Sequence, residues 1–231
     1  MTSMLVFTLA PVLAAVTGAG ITAWRRPGPQ LVSAIQHFAA GVVFAAAAGE
    51  VLPDLKHAGA VWPVMIGGGA GIVVMLLVQS LEARVSGPVG LLATIGVDIF
   101  IDGLVLGLSF LAGQTQGLLL TIALTIEILF LGLTIAVGLK TGSWVRSVTM
   151  TALIALLLPL GALLSGPISL LPAPVITGCF AFALVALLYL VTEELLVEAH
   201  EVRDRPWITA MLFVGFLLLL LLADLMEAAP A

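Results

Sequence analysis

The feature that most constrains this chain is a run of about 20 apolar residues that recurs along its whole length. A helix needs about 20 such residues to cross a ~30 Å hydrocarbon core. Eight segments supply them, at about 4–24, 31–54, 61–81, 88–112, 116–139, 145–168, 174–199 and 207–228. Inside a bilayer every backbone N–H and C=O must find its partner within the protein, which leaves helices or a closed barrel. Long apolar runs without strict alternation demand helices. With 61% of the 231 residues hydrophobic and 9% charged, the composition lies far from that of a soluble domain. The expected fold class is all-α: one transmembrane domain over residues 1–231, with eight helices.

The breaks between spans carry turn chemistry, as in Arg25-Arg26-Pro27-Gly28-Pro29, Ser86-Gly87-Pro88, Pro172-Ala173-Pro174 and Arg203-Asp204-Arg205-Pro206. None of them is long enough to hold a soluble domain. The first span lacks a charged n-region and a small-residue cleavage site, so it reads as a helix and not as a signal peptide. The single Cys179 offers no disulfide framework and reads as a packed thiol.

Eight cations orient the bundle. If the N-terminus lies outside, Arg25, Arg26, Arg84, Lys140, Arg146, Arg203 and Arg205 fall at cytoplasmic ends and only Lys56 falls outside. An even number of spans then places the C-terminus outside as well. The expected location is the cell membrane, in contact with the lipid bilayer. The net charge of −5 and the lack of a basic stripe point away from nucleic acid.

Against this background the stretch Asp98-Ile99-Phe100-Ile101-Asp102-Gly103 is anomalous. A carboxylate at the centre of a spanning helix costs about 2.5–3.5 kcal/mol on insertion scales. No Lys or Arg lies at the same depth to neutralise it. Asp98 and Asp102 are one turn apart on one face and can point into one cavity. Glu127, at matching depth on the next span, can close the same site. Oxygen donors in this number suit a hard or borderline divalent cation. The bland alternative is a pair of protonated carboxyls packed between helices.

Two further stripes extend the path. Glu50, Asp54 and His57 run toward the outer end of the second span, and Glu194, Glu198 and Glu201 toward the inner end of the seventh. They read as an entrance and an exit around the central site. Glu193 and Glu194 are about 100° apart around a helix, so only one of them faces the centre squarely. For Asp54, His57, Glu198, His200 and Glu201 the competing reading is solvated interfacial side chains, and for His37, Asp224 and Glu227 it is the preferred one. Gly67-Gly68-Gly69-Ala70-Gly71 reads as a close helix contact, and Pro159 as a kink.

The sequence also echoes itself. Asp98 through Leu104 matches Glu127 through Leu133, with a leading acid and a trailing glycine. Phe38-Ala39 with Glu50 through Asp54 matches Phe182-Ala183 with Glu194 through Glu198, at an offset of 144. Because the second and seventh spans run in opposite directions, the echoes describe a three-two-three inverted repeat of the kind found in transporters.

At these residues the sequence resembles the ZIP (Zrt/Irt-like) family of divalent metal transporters. The resemblance covers nearly the whole chain: eight helices, both termini outside and the inverted repeat. The family's fourth helix carries His-Asn-x-[Pro/Ile]-[Asp/Glu]-Gly and its fifth His-Glu-x-Pro-Glu-Gly. Here Asp98 stands for the first histidine and Ile99 for the asparagine, while Glu127, Ile128 and Leu131 replace the histidine and both glutamates of the second motif. The family's ligating glutamate on the seventh helix maps to Glu194. The histidine-rich loop of many members is reduced here to roughly residues 82–87.

The resemblance implies metal uptake toward the cytoplasm by alternating access, with Asp98, Asp102, Glu127 and Glu194 as ligands and a homodimer as the candidate assembly. Replacing imidazole by carboxylate hardens the site. That shifts the expected ion toward manganese or iron, and even magnesium or calcium, with zinc retained because carboxylates also bind it. One ion is expected rather than two. The metal is a substrate, and no resident cofactor or enzymatic activity is expected. Two alternatives stay open: a proton-coupled carrier of another small cation or solute, and a ZIP-like sensor that binds metal without moving it.

Overall fold

The computed structural model describes residues 2–24, 27–53, 55, 61–82, 88–138, 143–203 and 205–228. Every regular element among them is helical. They are α1 (Thr2–Trp24), α2 (Pro29–Ala46), α3 (Val61–Glu82), α4 (Pro88–Ala112), α5 (Gln114–Gly138), α6 (Trp144–Ala155 and Leu157–Ile168), α7 (Ala173–Tyr189, resuming at Leu196–Ala199) and α8 (Pro206–Ala228). All eight are long and apolar enough to cross a bilayer. The chain is a multi-pass helical membrane protein, and its helix limits fall within a few residues of the expected ones.

Local chemistry sets the helix ends and breaks. Gly28 and Pro172, both extended, precede α2 and α7, each of which has proline in its first turn. There the missing N–H is no loss and the fixed φ suits a helix. In α6, Pro159 cannot donate to the carbonyl of Ala155, and its ring crowds that carbonyl. The helix accordingly breaks at Leu156, between its two segments.

A second departure from regular helix occurs twice, with a proline beside only the first instance, where Pro53 cannot donate to the Gly49 carbonyl. α2 continues into a π-helical turn at Ala47–Val51, and α7 is interrupted by another at Leu190–Leu195. Each contains one of the acids of the 144-residue echo, Glu50 in the first and Glu194 in the second. Such turns add a residue to one helical turn and recur at functional sites.

The helices pack as two layers. In one, α1 packs along α5 and α4 along α6, with α4 also against α5 and α1 against α6. In the other, α8, α2, α7 and α3 lie in a row, α2 packing on α8 and α3 on α7. The layers meet chiefly where α2 crosses α5 and α7 crosses α4.

Glycines seal each of the four long pairs. A Cβ at Gly18 would overlap the Leu129 carbonyl of α5, and one at Gly132 the Ala15 carbonyl of α1. Gly41 and Gly215 stand in the same reciprocal relation for α2 and α8, as do Gly103 and Gly161 for α4 and α6. On α3, Gly67 meets the backbone of Gly178, and Gly71 the Val185 side chain, so the glycine-rich stretch acts in close approach as expected. In hydrocarbon there is no hydrophobic gain from pairing helices, so attraction rests on this backbone proximity.

Gly103→Ala should therefore destabilise the purified protein by about 1–3 kcal/mol, read as an earlier unfolding transition. Gly20→Ala, whose Cβ meets nothing within 4 Å, should be neutral or stabilising by up to about 1 kcal/mol. Equal shifts in the two variants would show that the glycine contacts do not govern pairing.

Candidate functional site

The central acids are buried as the sequence pattern predicts. Asp98 and Asp102, one turn apart on α4, are 7% and 4% exposed, and Glu127 on α5 is 2% exposed. Their neighbours Ile99 and Ile128 are buried as well. Asp102 Oδ2 and Glu127 Oε2 are buried without a hydrogen-bond partner among the described residues.

Glu127 lies within Coulombic reach of Asp102, Glu194 and Asp98, and Asp102 within reach of Asp98. The four residues proposed as ligands thus form one electrostatic cluster. Three belong to one helix layer, while Glu194 comes from the other through the π turn of α7. That turn also separates the two adjacent glutamates: Glu194 is half-buried toward the cluster and Glu193 is exposed.

No cationic side chain among the described residues lies inside the bundle. Arg146, Arg203 and Arg205 are exposed at helix ends. Nor are three histidine, cysteine, aspartate or glutamate side chains among the described residues placed to hold one ion together. The acids are gathered within electrostatic range without forming a closed coordination sphere. Their mutual repulsion opposes further approach.

The outlying stripes fare differently. Asp54 and His57 lie outside the described residues, as does the side chain of Glu50, whose backbone forms part of the π turn. Glu198 and Glu201 line a cavity of about 400 Å³ together with Thr22, Gln36 and Thr134. Gln36 Nε2 donates to Glu198 Oε2 at 2.6 Å, tying α2 to the end of α7. Asp224 and Glu227 are exposed near the end of α8, as interfacial residues would be.

The sequence reading missed part of this polar lining. Gln36 and Thr134 escaped notice because a single amide or hydroxyl barely alters the hydropathy of a span. A signal was present: Ser33, Gln36 and His37 cluster on one face of the first turns of α2. His37 requires a correction, since it is not a solvated interfacial residue but is 1% exposed. α2 is covered there by α7, with Ser33 Oγ donating to the Ala199 carbonyl at 2.7 Å.

Replacing one acid should relieve the repulsion. Glu127→Gln is expected to raise the unfolding temperature in metal-free buffer, by a free energy of about 1–3 kcal/mol. Tryptophan fluorescence during heating would report it, and a destabilised variant would contradict it.

No protein-family model matches the chain, and no curated protein is significantly similar to it.

Proposed function

We propose that the protein is a ZIP-like transporter of divalent metal ions that moves its substrate toward the cytoplasm by alternating access. The observation that carries this reading is the buried cluster of Asp98, Asp102 and Glu127, within Coulombic reach of Glu194, with no cationic side chain among the described residues inside the bundle. A cluster of this kind is stable when a cation or protons enter it, so its partner is the transported species. The site spans the seam between the two helix layers. Rocking one layer against the other would bring Glu194 toward the other three carboxylates or carry it away. Ion binding and release would follow from that motion.

The packing supports an inverted repeat. Exchanging α1–α3 with α6–α8, and α4 with α5, turns the α1–α5 pair into α6–α4 and the α2–α8 pair into α7–α3, all of which are long contacts. The π turns at Ala47–Val51 and Leu190–Leu195 overlap under the 144-residue offset. The positive-inside bias favours both termini outside the cell membrane. In that orientation the cavity lined by Gln36, Glu198 and Glu201 lies on the cytoplasmic exit side. An all-carboxylate centre favours manganese or iron, with zinc retained.

One observation favours a second reading, a proton-coupled carrier of another small cation or solute. No three candidate ligands among the described residues share an ion position, and carboxylates that only titrate need not converge. The two readings separate in proteoliposomes. Metal transport requires flux of at least one ion among manganese, iron, zinc, cadmium, magnesium and calcium. That flux should fall at least tenfold in both Asp98→Ala and Asp102→Ala, and should weaken at low pH because bound carboxylates must be deprotonated. Unchanged flux in both variants would overturn the assignment, and binding without flux would identify a sensor.

A further inference from the structure

Away from the carboxylate cluster, two imidazoles meet where α2 begins and α7 ends. The His37 and His200 rings lie 5.0 Å apart between centroids, inclined at 60°. Nδ1 of His37 is 2.9 Å from the Ser33 carbonyl, and Nδ1 of His200 is 2.5 Å from the Leu196 carbonyl. A carbonyl oxygen can only accept, so each Nδ1 carries hydrogen. In the neutral rings Nε2 then holds the lone pair on both. Nε2 of His37 is buried with no hydrogen-bond partner among the described residues, on a side chain only 1% exposed.

Metal-ligating histidines share one feature of this pair. One ring nitrogen is fixed by a backbone carbonyl, which sets the tautomer and orients the other nitrogen toward the ion. The spacing agrees. With Nε2 about 2.0–2.1 Å from a shared ion and a ring radius of about 1.2 Å, two ligands subtending roughly 90–110° place their centroids about 4.5–5.2 Å apart. Packed aromatic rings without an ion also meet at such distances, but packing alone gives no reason for a buried, unpartnered Nε2.

The geometry points to a second metal site here, a two-imidazole clamp that takes a borderline divalent transition ion such as zinc, nickel or copper(II). Nitrogen donors select these ions, whereas the all-oxygen centre favours harder ones. Water completes the coordination, since no third histidine, cysteine or carboxylate among the described residues is placed to join the pair. His200 is exposed just past the end of α7, so the pair is open to the surface on its side. A bound ion ties the start of α2 to the end of α7, the two helices that carry the π turns. The site is independent of the reading given to the central acids.

Copper(II) is the direct probe. Protein purified without a polyhistidine tag and given one equivalent of copper(II) should show, by electron paramagnetic resonance, a signal from two imidazole nitrogens. With only three histidines in the chain, the controls are few. His57→Ala should leave the signal intact. His200→Ala, at an exposed position, should keep the wild-type unfolding temperature yet lose the two-nitrogen signal and at least tenfold in copper affinity. The signal should persist in Asp102→Asn/Glu127→Gln, whatever becomes of transport. Its absence from the wild type, or its survival in His200→Ala, would overturn the proposal.

Discussion

The burial of carboxylates in the interior of a helix bundle is the constraint on which the rest of this molecule turns. Asp98, Asp102 and Glu127 are almost wholly enclosed, and each would destabilise an isolated spanning helix by about 2.5–3.5 kcal/mol. The packing of the surrounding helices has to offset that cost. Helix packing and acid burial therefore have to be considered together: the close contacts that exclude lipid and water also keep the charges near one another.

That closeness comes from backbone meeting backbone. Each long helix pair has a glycine where any larger side chain would strike a carbonyl of its partner. α4 and α5 are thereby drawn into one layer with α1 and α6, and their acids are held at the boundary with α2 and α7. Glu194 reaches the boundary from the opposite layer, within the stretch Leu190–Leu195 where α7 departs from regular helix. The cluster is thus assembled across a seam, and a seam between packed layers is where relative motion disturbs fewest contacts. At the far end of the same row, Gln36 with Glu198 and His37 with His200 join α2 to α7 by polar contacts.

Much of this was legible in advance, and the reason differs from one feature to the next. Asp98, Asp102 and Glu127 stood out because an acid in an apolar run is costly to bury, and the i, i+4 spacing placed the first two on one face. The break in α6 followed from Pro159, whose missing N–H acts on its own helix. The π turn of α7 left no such mark, and only that of α2 has a proline, Pro53, beside it. Ala47-Ala48-Gly49-Glu50-Val51 and Leu190-Val191-Thr192-Glu193-Glu194-Leu195 share an acid but no residue that forces the wider turn. The choice between Glu193 and Glu194 depended on that turn and could not be made from a 100° rule.

The sequence by itself determined the number of helices, their limits and the presence of charge at their centre. Each of these follows from a local requirement: a span in hydrocarbon must satisfy its own backbone hydrogen bonds whatever lies beside it. Only the tertiary structure decided which helices pair, that Glu194 joins the cluster, and that His37 is enclosed beside His200. Those outcomes depend on contacts between residues as far apart in the chain as Ser33 and Ala199. An apolar helix can present any of its faces to lipid, so nothing within one span states which face its neighbours will cover.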